Sequence, residues 1–266
     1  MTNTNCLNCG KELTDKYCSG CGQKADTHRI TFKNFLFHDL LHGTFHLERG
    51  ILFTAKEALI RPGKAALDYI SGKRKRYYNV FYLILLTFGV MLFVRHYYDG
   101  LIMDHGEKWV DDASKMDEAS KRINNFIYQY SKFILLLFVP FGAINSYILF
   151  KRKKLNLAEH AIISGMVLLG CLLISTIRHI VFYLNLVFDG GIVAVIVNSL
   201  TPTLIFFYIG FAYYNAFRID YSRFGIFFRV VLFYALICLE ILIAFYILIG
   251  VMTHWKMGNI ELAPFG

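Results

Sequence analysis

A chain of 266 residues that is 56% hydrophobic, with a mean hydropathy of +0.46, is too apolar for an ordinary soluble domain of its length. Its net charge of +9 is not spread over one surface. It concentrates in two runs, Lys73, Arg74, Lys75, Arg76 and Lys151, Arg152, Lys153, Lys154, each directly beside an apolar stretch. That placement makes anionic headgroups a simpler partner than nucleic acid, because Lys and Arg beside a span fix its cytosolic end.

The first five residues are polar and lead straight into a cysteine motif without an apolar h-region, so the amino terminus is expected in the cytosol. No prenylation or GPI signal is read at the other end. The motif is Cys6-x2-Cys9-x8-Cys18-x2-Cys21, with Gly10 and Gly22 following the two pairs. A glycine there lets the turn reach positive φ and aim backbone N–H groups at sulfur. Four thiolates make a closed tetrahedral zinc site with no position for a substrate, so one structural Zn2+ is expected. Two disulfides are the competing reading, and a reducing cytosol disfavours them. A redox CxxC is the other, and two pairs at this spacing disfavour it. The stretch CLNCGKELTDKYCSGCGQ resembles the short zinc ribbons found at the ends of bacterial membrane proteins. The resemblance implies fold and metal, not activity. Few basic residues lie in it, and acidic neighbours partly balance them, so nucleic acid is not expected here either. A protein partner at the ribbon is.

Residues 28–76 are amphipathic. His38, His42 and His46 recur every four positions, which puts them on one helix face, with Asp39 beside them. Two histidines and a carboxylate could grip a second metal. The competing reading is an interfacial helix, since Phe32, Phe35, Leu36, Leu40 and Leu41 give it an apolar face and Gly43 weakens it. Pro62 suits the first position of a new helix and Gly72 its end. Short helices packed under a bundle are expected. Residues 1–98, through the ribbon, HRITFKNFLFHDLLHGTFHLERGILFTAKEAL, RPGKAALDYISGKRKRYYNVF and the first apolar run, resemble an uncharacterised bacterial membrane-protein family known mainly as a domain of unknown function. That resemblance implies a multi-pass cytoplasmic-membrane protein and carries no activity.

Five apolar segments follow, near 78–97, 131–150, 158–184, 192–217 and 225–252. Each is about 20 residues or more, enough to cross roughly 30 Å of hydrocarbon as a helix. The fold class is therefore an all-α membrane protein of about five transmembrane helices, with cytosolic interfacial helices and a small amino-terminal zinc ribbon. The domains are a ribbon at 1–25, interfacial helices at 26–76, a transmembrane domain at 77–257 and an external tail at 258–266. Basic residues at 73–76, at 151–154 and at Arg218 and Arg223 agree on one orientation, amino terminus in and carboxyl terminus out. The loop at 98–130 is then external, and it is acidic.

Polar groups inside apolar runs are costly. Glu240 lies mid-way along the fifth run, and Arg178 and His179 on the third are its candidate partners. Asn145, Asn198 and a break at Pro202 add polar material. Cys171 and Cys238 read as packing residues. GxSxG, Walker A, HExxH and GxGxxG patterns are absent from the sequence. The expected function is non-enzymatic: an integral protein of the cytoplasmic (inner) membrane, surrounded by lipid and able to form a homo-oligomer, whose ribbon docks a partner or supports assembly. The alternatives are a transporter or lipid-handling protein using Glu240, and a membrane enzyme with metal at His38, His42 and His46.

Overall fold

In the computed structural model the described residues are 4–25, 27, 30, 50–104, 135–186, 192–253, 256–257 and 260–261. They form an all-α membrane protein. Its helices are α1 (Gly50–Ile60), α2 (Pro62–Ile70), α3 (Val80–Asp104), α4 (Phe138–Leu149), α5 (Leu157–Phe182), α6 (Ile192–Phe217) and α7 (Arg223–Thr253). A two-residue pairing of β1 (Lys256–Met257) with β2 (Ile260–Glu261) follows α7.

Four of the helices, α3, α5, α6 and α7, are long and apolar enough to cross a membrane. The apolar stretch Leu135–Leu149 is shorter, so only part of the segment expected at 131–150 is described. The first span runs on to Asp104, so the first residues assigned to the acidic loop are helical. The rest of that loop, 105–130, lies outside the described residues, as does nearly all of the tail at 258–266. Pro202 does not break its helix: α6 is continuous through it. A proline removes one backbone donor. Thr201 and Thr203 return their hydroxyls to the carbonyls of Val197 and Ser199, 2.8 and 3.2 Å away, so side chains as well as backbone hold this stretch of α6.

α5 is the centre of the bundle. Of its membrane-length window 67% is buried, against 11% for α6 and 6% for α7. The outer faces of α6 and α7 are therefore left uncovered by the rest of the chain. α5 opens with a capping box: the Asn156 side chain accepts from the Glu159 N–H at 2.9 Å, and the Glu159 carboxylate accepts from the Asn156 N–H at 2.8 Å. Asn156 also donates to the carbonyl of buried Ile30 at 2.8 Å.

α1 and α2 do more than lie beneath the bundle. The two form a hairpin whose tip enters it. The Tyr208 hydroxyl donates to the carbonyl of Ala58, and its ring packs against Gly170. Tyr208 lies about two and a half turns inside the end of α6. The reason is side-chain size. Pro62, Gly63, Ala65 and Ala66 make a small buried face on α2. A Cβ at Gly63 would run into the backbone of Ala212 and Ala216 on α6. Small residues on both partners allow that approach. Pro62 opens α2, and Asn215 of α6 accepts from the Lys64 N–H at 2.7 Å, satisfying one donor at that helix start. Glu57 is buried and paired with Arg61 in the same hairpin.

The ribbon, the 73–76 turn, the 151–154 turn and the 218–223 turn gather at one end of the bundle, here the basic end. Stacked aromatics fill its core: Phe150 lies on Phe217 at 4.3 Å and on Tyr213 at 5.7 Å.

Candidate metal centre and its docking surface

The ribbon consists of two matched turns. In each, a cysteine N–H reaches a carbonyl five residues on, Lys11 for Cys6 and Gln23 for Cys18, both at 2.8 Å. Each turn closes on a glycine, with Gly10 at φ 78° and Gly22 at φ 71°. Both angles are left-handed, the region only glycine enters freely. The bridges Asn5 to Glu12 and Tyr17 to Lys24 pin the two loops.

This geometry converges four sulfurs. The Sγ atoms of Cys6, Cys9, Cys18 and Cys21 lie within 4.8 Å of one another. Cys6 and Cys21 are 3.6 Å apart, and Cys9 and Cys18 are 3.5 Å apart. A disulfide needs about 2.05 Å, so these are free thiols. Four sulfurs about 2.3 Å from one ion at tetrahedral corners would sit about 3.8 Å apart, close to what is seen. The donor set therefore fits a metal and offers it no open position. Backbone N–H groups of Cys21 and Gly20 hold the Cys18 thiol down to about 6. The Lys11 N–H favours a thiolate at Cys9, but the neighbouring thiols and burial outweigh it and push Cys9 up to about 11. The turns thus prepare at least one sulfur as a thiolate.

The ribbon is docked on the basic run. Gln23, only 6% exposed, donates to the Gly72 carbonyl at 2.8 Å and accepts from the Lys75 N–H at 3.2 Å. Arg76 reaches the side chain and carbonyl of Asn8 at 3.4 and 3.2 Å. Leu7 covers Gly72, whose φ of 101° turns the chain after α2. Lys73 pairs with Asp68 at 2.8 Å, and Arg74 lies over the Tyr69 ring at 5.7 Å. Lys73 and Arg76 thus bond to the protein while Arg76 stays exposed.

The other sequence candidates fall in different places. His38, Asp39, His42 and His46 lie outside the described residues. Among the described residues, the cysteine cluster is the group that could hold a metal. Glu240 is not joined to Arg178 or His179. Its carboxylate accepts from the Asn145 side chain at 2.9 Å. Arg178 lies over Phe182, one turn on, and His179 bonds the Ser175 carbonyl, one turn back, both on their own helix. Lys151, Arg152 and Lys154 are exposed, and Arg152 and Lys153 bond to Asp220 and Tyr221.

Sequence reasoning passed over several groups. Gln23 carried no pattern. His160 is 1% exposed, bonded to Ser146 at 2.8 Å and stacked on Phe217, with only its place beside Glu159 to mark it. The Asn156-x2-Glu159 box before an apolar run was legible as a capping signature.

Known proteins add little beyond this. A family model described as a protein of unknown function (DUF3667) matches residues 48–92. That stretch holds the α1–α2 hairpin, the basic run and the first half of α3. No curated protein matches the chain, and no solved structure does.

Proposed function

We propose that this chain is a multi-pass protein of the cytoplasmic (inner) membrane, with its basic end in the cytosol, and that its ribbon holds one structural Zn2+ that supports assembly rather than catalysis. The observation that carries the reading is the two-way bond of Gln23 to Gly72 and Lys75. Through it, an ordered ribbon grips the turn that joins the hairpin to α3. The zinc would hold the four thiolates at tetrahedral corners, and the chain would supply the clamp.

Metal analysis of the purified full chain is expected to find one zinc. Chelation is expected to remove hydrogen-exchange protection over residues 68–78. Gln23→Ala should keep the zinc and lose the same protection. Unchanged protection after zinc removal would sink the assembly reading and return the ribbon to a partner-docking role.

A lipid-handling role is the second reading, favoured by a cavity of about 310 Å³ walled by Phe138, Phe141, Leu168, Leu172, Ile237 and Ile241. Glu240 and its partner Asn145 lie beside these walls on α7 and α4. Ligand pockets of this kind are apolar with few polar groups. Under this reading, Glu240→Gln keeps the fold and lowers lipid retention on purification. Equal retention by wild type and variant would remove Glu240 from any such role.

A further inference from the structure

The 151–154 turn and the 218–223 turn meet at Tyr221. Its ring is 7% exposed, and its hydroxyl accepts from the Arg152 N–H at 2.9 Å. Two guanidinium groups lie against that ring. Arg152 Cζ is 4.8 Å from its centroid and Arg229 Cζ is 4.3 Å. Two like charges this close repel, and salt screens them only partly.

Nothing described neutralises them. Arg152 Nη1 donates to the Asp220 carbonyl at 3.1 Å. Arg229 donates from Nε to the Leu149 carbonyl at 3.0 Å and from Nη1 to the Gly225 carbonyl at 2.9 Å. Carbonyls orient a guanidinium and leave its charge in place. The nearby carboxylate, Asp220, is taken by Lys153 at 2.9 Å. Lys151, Arg218 and Arg223 are exposed on the same two turns and add charge of the same sign.

An oriented pair of forks without a counter-ion matches a phosphate, whose oxygens take guanidinium bonds two at a time. The surroundings choose among phosphates. α4 and α6 end at this notch and α7 begins there, so it sits where apolar helix gives way to charge. Beside the arginines, Ile219 is 85% exposed and Phe224 80%. A free phosphate has no use for that apolar rim. A lipid presents its phosphate and its glycerol and chains together.

We propose that the notch between these two turns binds the headgroup phosphate of an anionic phospholipid, held by Arg152 and Arg229 across Tyr221. The site is distinct from the ribbon and stands or falls without it.

Thermal unfolding of the full chain in detergent, with added phosphatidylglycerol, phosphatidylcholine or inorganic phosphate, tests it. Phosphatidylglycerol is expected to raise Tm, and the other two to leave it unchanged. The R152Q/R229Q double variant should need about tenfold more phosphatidylglycerol for half the shift. Lys151→Gln, which removes a charge from an exposed position, should change that requirement less than about twofold. Should the glutamine pair not fold, R152K/R229K keeps the charge and loses the fork, and it too should bind more weakly. The proposal is overturned if phosphatidylcholine stabilises equally or if inorganic phosphate reproduces the shift, the latter pointing to a soluble anion. It is also overturned if Lys151→Gln weakens binding as much as the double variant, or if the lysine pair binds like wild type.

Discussion

Gly63 shows how much one missing Cβ decides. The α2 backbone lies against α6 because neither Gly63, Ala212 nor Ala216 keeps it away. Gly63→Ala places a carbon inside that contact. Overpacking of this kind costs about 1–3 kcal/mol. We expect reduced denaturant resistance of the micellar protein, and a variant as stable as wild type would mean that the hairpin is not seated as described. Gln23 makes the opposite point. Its amide is buried because both of its ends are satisfied by backbone, and losing it would leave Gly72 and Lys75 with unpaired polar groups.

The helices follow from their own signals at different depths. α5 is defined at its start by Asn156 and Glu159, and Asn156→Ala removes one half of the capping box along with the donor to Ile30. A lost cap costs about 1 kcal/mol. A correspondingly lower unfolding midpoint is expected. If the midpoint does not move, water replaces the cap and the box is incidental. The α1–α2 hairpin was legible only as two short helices divided by Arg61 and Pro62. That it enters the bundle depends on Tyr208 and the alanines of α6, some 150 residues further along the chain. No local pattern carries that contact. The family model matched over 48–92 covers this hairpin and the first half of the helix after it.

For the whole molecule, burial sorts the helices by neighbour. α5 meets protein on most sides, and the outward faces of α6 and α7 meet hydrocarbon or a second copy. The gathering of the 73–76, 151–154 and 218–223 turns at one end agrees with the alternation that the positive-inside rule demands of their charges. On the proposed orientation, a membrane-impermeant thiol reagent applied to intact cells labels the Met257→Cys variant and spares Asp15→Cys. The reverse pattern would invert the topology and place the ribbon outside, where two disulfides would replace the metal.

The sequence by itself determined the solvent and the four-cysteine cluster that could hold a metal. Apolar runs of membrane-spanning length cannot be satisfied in water, and two CxxC pairs closed by glycine carry their geometry in a few local bonds. Tertiary structure alone decided what those parts touch. Asn145 rather than Arg178 meets Glu240 because a helix face is chosen by packing, not by hydropathy. Half of the 73–76 run is spent on the ribbon and on Asp68, while Arg229, which no run contains, completes the cationic pair at Tyr221. Charge is read from composition, but whether a charge is free is settled by its neighbours in space.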